Sequence, residues 1–265
     1  MEKVDIGSVQ LEYESRGAGQ PVVLIHGGAI ADAYAPILDE PALAGFRLIS
    51  YRRRGFGGST HTNPPVSISR CADDCLALMR HLGIERAHLA GHSYGGIIAL
   101  QLALDHPEAV GSIALLEPAL VAALPGAVEG FAPILEQYAR GDKAGALAGF
   151  LSAVGDENHR AVLDRVPGSY EMALADADYL FRVEIPELAT WRFTSDDAAR
   201  IKQPILAMVG SESRPFFHHI QALVQSWFPQ AEAVTIAGAN HMLQMMTPRP
   251  IATALADFFA RHPLR

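Results

Sequence analysis

Cysteine is almost missing from this chain: Cys71 and Cys75 are the only two among 265 residues. Their i, i+4 spacing puts both on one face of a helix beside Leu78 and Leu82, and two ligands alone make no zinc site. They read as small apolar residues facing a core. Long apolar runs are lacking as well. None reaches the roughly 18 residues that a membrane span needs. The opening MEKVDIGSVQLEYESRG has no apolar signal region, so a soluble, cytoplasmic protein with no membrane partner is expected. Like charges do not cluster beyond Arg52-Arg53-Arg54 and the net charge is −8, which speaks against nucleic acid as a partner. The chain holds no Gly-rich phosphate loop, dinucleotide fingerprint or metal-ligand cluster, so neither a cofactor nor a metal is expected. Internal repeats and low-complexity linkers are missing too.

What is there is a balance of 49% hydrophobic and 19% charged residues, that of a well-buried globular chain. The length suits one large α/β domain with a small insertion. The chemistry concentrates in Ala87–Leu104, AHLAGHSYGGIIALQLAL. A short apolar run stops at Gly91, and a helical pattern (Ile97, Ile98, Leu100, Leu102, Leu104) starts after Gly96. Between them Gly91-His92-Ser93-Tyr94-Gly95 is a G-x-S-x-G pentapeptide. This pattern predicts a sharp strand-to-helix turn with the Ser93 hydroxyl pushed out over the sheet edge. Side chains at the two glycines would collide with the neighbouring strand or helix. The helix N-terminus supplies an unpaired amide and a favourable dipole for an oxyanion.

Along the chain, Val9–Tyr13 alternates as an antiparallel edge strand does, and Val22–Ile25 is a continuous apolar run suited to a buried central strand. The latter ends in His26-Gly27-Gly28, whose glycines let backbone amides approach a ligand. His26 reads as a structural histidine bonding the loop backbone. Further strands are expected at 46–51, 112–116, 204–210 and 233–237, and helices at 68–82, 216–227 and 250–260. From 119 to 202 only helical periodicity appears (128–140, 143–154, 160–166, 170–181), with breaks expected at Gly141, Gly155, Pro167 and Pro186. The expected division is a core of 1–118 plus 203–265 and a helical lid of 119–202. Strands alternating with helices imply a mostly parallel sheet with right-handed crossovers.

HGG at 26–28, RGFGGS at 54–59, GHSYGG at 91–96, the helical insertion and His241 in a late loop follow one another in one order. Together they resemble the α/β-hydrolase superfamily over essentially the whole chain. The resemblance implies an α/β fold with an eight-stranded, mostly parallel sheet and a helical cap. It also implies a serine nucleophile, Ser93, with His241 as its base, because the family's chain order is Ser, acid, His; His92 and the pair His218-His219 are the competitors. The acid is less regular. Relatives usually carry an Asp in a G-x-x-D loop after the seventh strand, but here the loop reads Gly210-Ser211-Glu212-Ser213, with Ser213 in the Asp position. A serine cannot balance the imidazolium formed during attack. Glu117 is the stronger candidate, closing a buried strand 24 residues after Ser93, where zearalenone lactonases take theirs; Glu212 is the alternative. Pro118 is expected to bias Glu117 to extended backbone, and a carboxylate at a buried strand end needs a partner.

The oxyanion hole implied is the pair of Tyr94 and Gly28 amides. Arg52–Arg54 reads as loop anchors paired with acidic neighbours rather than an anion site; relatives commonly carry an Asp at the first of these positions. The lid's aromatic residues, Tyr170 and Trp191 among them, and Met242 beside His241 are expected to contact an apolar or aromatic small molecule. The function expected is a serine hydrolase cleaving a carboxylic ester or lactone through an acyl-enzyme. A C–C bond hydrolase or perhydrolase on the same triad, or a non-catalytic receptor on the same scaffold, remains as the alternative.

Overall fold

Val22–Ile25 has no polar side chain to show to water on either face, and it lies in the interior of an eight-stranded sheet with all four residues at 0% exposure. The structure, a computed structural model, describes residues 1–124 and 126–264. Pro125, in the expected lid, and Arg265, at the end of the expected core, lie outside the described residues. The strands are β1 (Glu2–Asp5), β2 (Gln10–Arg16), β3 (Gln20–Ile25), β4 (Phe46–Arg52), β5 (Ala87–His92), β6 (Val110–Leu116), β7 (Ile205–Gly210) and β8 (Glu232–Ile236), in the spatial order β1-β2-β4-β3-β5-β6-β7-β8. The pairings β1·β2 and β2·β4 are antiparallel and all others are parallel.

Side chains alternate across the sheet. Val23 and Ile25 join one apolar layer with α1 (Ile68–His81), α2 (Tyr94–Asp105) and, further on, Ile220 and Val224. Val22 and Leu24 join the opposite layer, with Leu255 and Phe258. Ser67 caps α1 by accepting from the Arg70 amide. Cys71 and Cys75 lie buried on its inner face, and burial pushes both thiols up to about 12. Strand β1 was not legible in the sequence, because only Val4 of its four residues is buried; its pairing with β2, not a pattern of its own, makes it a strand.

Between β6 and β7 the described chain is helical: α3 (Ala132–Ala139), α4 (Lys143–Val154), α5 (His159–Leu163), α6 (Ser169–Tyr179), α7 (Ile185–Thr190) and α8 (Ser195–Arg200). The break expected at Pro186 does not occur. A π turn over Leu180–Glu184 joins α6 to α7, and Tyr179 and Ile185 at its borders keep helical dihedrals. A wider turn just before Pro186 absorbs the register change forced by the amide that proline lacks. After β7 come α9 (Pro215–Trp227), β8, the short α10 (Leu243–Met246) and α11 (Pro248–Arg261). Among the described residues no helix is long and apolar enough to cross a membrane.

Candidate active site

Ser93 sits between β5 and α2 with φ 52° and ψ −117°. A non-glycine residue in this region is strained by about 1–3 kcal/mol and persists only where its surroundings fix it. Three backbone bonds do so. Its amide donates to Leu116 O at 2.9 Å, and its carbonyl accepts from Gly96 at 2.9 Å and Ala119 at 3.0 Å. The flanking glycines are sterically required. A Cβ on Gly91 would lie 2.4 Å from Gly95 O, and one on Gly95 would lie 2.0 Å from Ile25 O on β3. Ser93 keeps part of its surface open to solvent in an otherwise buried stretch.

The bonds at Leu116 and Ala119 bring the end of β6 to the serine, and Glu117 leaves that end. Its backbone is not extended as Pro118 led us to expect. It adopts φ 47°, in the left-handed region, and its amide donates to Met208 O on β7 at 3.1 Å. That turn sends the buried carboxylate toward the later strands. Oε2 lies 2.6 Å from His241 Nδ1, while Oε1 accepts from the Gly210 amide at 2.8 Å and from the Ser213 hydroxyl. The carboxylate at the end of the buried strand is thus fully partnered. Because it can only accept, Nδ1 carries the proton and His241 Nε2 is left as the acceptor.

His241 is 4% exposed and held on both sides. The Phe217 ring stacks on it at 4.0 Å and 13°. On the Ser93 side the His92 ring lies 4.6 Å away, and its Nε2 donates to His241 O at 2.8 Å. Burial, with the neighbouring His241, holds the His92 pKa well below the usual histidine value, so a neutral His92 supports the His241 backbone. His218 and His219 are exposed on α9.

The HGG loop faces the same turn. A Cβ on Gly27 would lie 3.0 Å from Ser93 Cβ and 2.8 Å from His92 Nδ1. Among the described residues, neither the Gly28 amide nor the Tyr94 amide donates to a protein acceptor. His26 is a loop anchor: its Nε2 accepts from the Arg53 amide at 3.0 Å, and burial followed by the Arg53 charge depresses its pKa well below the ordinary value. The arginine run is absorbed by acidic neighbours. Arg52 binds Glu12 at 2.7 Å and Asp32 at 3.1 Å, Arg53 binds Glu184 at 2.5 Å, and Arg54 binds Asp74 at 2.5 Å.

One further expectation needs correction. Glu212 is exposed, and its carboxylate does not reach His241; the loop aims Ser213 inward instead. Trp191 Nε1 donates to Gln101 Oε1 on α2 at 2.8 Å, and the Trp191 ring stacks on Phe193 at 5.5 Å. Tyr170 lies under the half-exposed Arg160 guanidinium, 4.0 Å from its ring centre, within a group of exposed ion pairs. Met242 is buried next to His241 and packs against Gly155 at the end of α4, where a Cβ would meet its Cε at 2.9 Å. An apolar cavity of about 230 Å³ opens nearby, lined by Val121, Ala127, Phe131, Val154 and Phe216. The Phe216 ring is 4.1 Å from Phe217, which covers His241. A separate recess of about 600 Å³ lies between β8 and α11 and contains none of these groups. Sequence reasoning missed Phe217 and Glu184; for Glu184 the available signal was a lone acid in the apolar stretch YLFRVEIP.

A family model described as the alpha/beta hydrolase fold matches residues 20–248. Over 284 aligned residues, 98% of this chain and 70% of the relative, the sequence is 27% identical to the dihydrolipoyllysine-residue acetyltransferase component of the acetoin cleaving system of Pseudomonas putida. It is 36% identical to a fluoroacetate dehalogenase of a Burkholderia species over 125 residues, 43% of this chain and 39% of that one. The match spans less than half the length of the first curated relatives, 42–45%. Among solved structures, a thermophilic esterase from Thermogutta terrifontis superposes with a TM-score of 0.87 at 23% identity, covering 99% of this chain and 100% of that one. An enzyme described as degrading N-acyl homoserine lactones superposes with a TM-score of 0.76 at 26% identity, covering 97% and 100%. With its sheet order and its serine turn, the chain belongs to the α/β-hydrolase fold family.

Proposed function

We propose that this chain is a serine hydrolase that cleaves a carboxylic ester or lactone of a largely apolar small molecule through an acyl-enzyme. The observation that carries this reading is the buried 2.6 Å bond between His241 Nδ1 and Glu117 Oε2 beside the strained turn of Ser93. A serine hydroxyl is a poor nucleophile near neutral pH and needs an oriented base. In the proposed reaction, His241 Nε2 takes the Ser93 proton as Oγ attacks the carbonyl carbon. Glu117 keeps the imidazole in the required tautomer and balances the imidazolium. The Gly28 and Tyr94 amides stabilise the oxyanion, each such donor being worth about 2.7–4 kcal/mol. His241 then returns the proton to the leaving oxygen, and water, activated by the same base, releases the acid.

The lid is taken as residues 119–202, and the small apolar cavity beside Phe216 fits the apolar part of the substrate. Lactone cleavage draws support from the acid position and from the described activity of the homoserine lactone degrading relative. A fluorophosphonate probe is expected to label the purified protein at Ser93, with short p-nitrophenyl esters and lactones hydrolysed. Ser93→Ala removes both. Absence of labelling together with absence of turnover on esters and lactones overturns the reading.

A further inference from the structure

Glu184 is 1% exposed, yet among the described residues only one of its carboxylate oxygens has a partner. Oε1 binds Arg53 Nη1 at 2.5 Å, while Oε2 is buried without a hydrogen bond. Leaving an acceptor in this state is costly, and a carboxylate oxygen costs more than a neutral one. The free oxygen is also specifically placed. A Cβ on Gly28 would lie 3.0 Å from Glu184 Oε2 and 3.1 Å from Leu180 Cδ1, so side chains of the π turn Leu180–Glu184 lie against the α-carbon of Gly28.

Arg53 fixes this arrangement from below. Its Nη2 donates to Gly27 O at 2.8 Å and its Nε to His26 O at 3.1 Å, while its Nη1 holds Glu184. It also lies 5.0 Å from the Tyr94 ring centre and 4.8 Å from that of Phe56. The ion pair therefore links the loop carrying one proposed oxyanion donor to the helical insertion above it. The buried hydroxyls of Tyr94 and Tyr179, whose rings belong to the same cluster around Phe56 and Arg53, are unpartnered among the described residues as well.

We propose that Glu184 is a specificity-determining residue whose free Oε2 accepts a hydrogen bond from a hydroxyl or N–H on the acyl half of the substrate, one or two carbons from the scissile carbonyl. This rests on the hydrolase reading above. The leaving group must face His241, which returns its proton, whereas Glu184 lies beside Gly28 in the HGG loop; the donor therefore belongs to the acyl half. Arg53 neutralises the carboxylate so that it does not oppose the developing oxyanion. Leu180 leaves little room over Gly28, which selects a short acyl chain.

The test compares p-nitrophenyl 3-hydroxybutyrate with p-nitrophenyl butyrate in the wild-type chain and in Glu184→Gln. Taking the ratio of kcat/KM values in each protein, and then comparing the two ratios, cancels the intrinsic reactivity of the esters. The wild-type preference for the hydroxy ester is expected to exceed that of Glu184→Gln by about tenfold or more. Should Glu184→Gln fail to fold, p-nitrophenyl 3-fluorobutyrate on the wild type replaces it, since fluorine is no larger than the hydroxyl but has no donor, and the ester should be the poorer substrate by a similar factor. Equal preference in the two proteins, or hydroxy and fluoro esters hydrolysed alike, overturns the assignment of Glu184. Loss of all ester turnover and of fluorophosphonate labelling in the wild type overturns the hydrolase reading instead.

Discussion

Ser213 occupies the position where relatives usually carry an aspartate, and its hydroxyl donates to Glu117 Oε1. The residue at the vacated acid position thus supports the carboxylate that arrives from β6. Removing one of the two donors on Oε1 of this buried carboxylate costs about 1.5–3 kcal/mol, so Ser213→Ala should lower both stability and kcat, the latter by about tenfold. Urea unfolding and ester kinetics on the same preparation check this. Glu212→Ala, at an exposed site, should leave kcat within about twofold of wild type. The sequence made Ser93 and His241 legible because each belongs to a motif with a fixed order. Glu117 was legible from the family resemblance, together with its place at the end of a buried strand. The positive φ that aims it was not, since the proline after it pointed the other way.

At the level of elements, the turn from β5 to α2 is set by contacts between neighbouring backbones, which is why it requires glycine. A Cβ at Gly95 would meet the Ile25 and His26 carbonyls at 2.0 and 2.7 Å. Backbone cannot yield there as a side-chain tip could. Gly95→Ala is therefore expected to destabilise the fold by about 3 kcal/mol or more, or to abolish activity by displacing Ser93. A thermal melt and probe labelling report the two effects separately. Long periodic elements such as α1, α2 and α11 could be read from the sequence because their apolar faces are wide. The short β1, α7 and α8 could not, because tertiary pairing and the π turn before Pro186 create them.

For the whole molecule, acid lability follows from three buried histidines outside the proposed base role. Burial, with neighbouring positive charge, depresses the pKa of His26 and His92 well below the usual value and brings that of His88 down to about 4. His88 is held neutral between Ser112 Oγ at 2.8 Å and Gln20 Oε1 at 3.0 Å. Below about pH 6.5 the unfolded chain takes up protons that the native chain refuses, so stability rises with pH in this window and falls on acidification toward pH 4. Glu184 and Asp176, whose burial raises their pKa, act in the opposite direction nearer the ordinary carboxylate range. The urea midpoint should be level from about pH 7 to 8 and drop steadily below 6.5. A midpoint unchanged down to pH 5 would show that these histidines are not held neutral.

The central claim is that the acid of this site comes from the end of β6, and kcat of Glu117→Gln on a p-nitrophenyl ester tests it most directly. The amide keeps the shape of the side chain but can no longer fix the tautomer of His241 or balance its charge. The predicted loss is about 10⁴-fold in kcat, with Ser93 still present and the protein folded. A kcat within about threefold of wild type would contradict the claim.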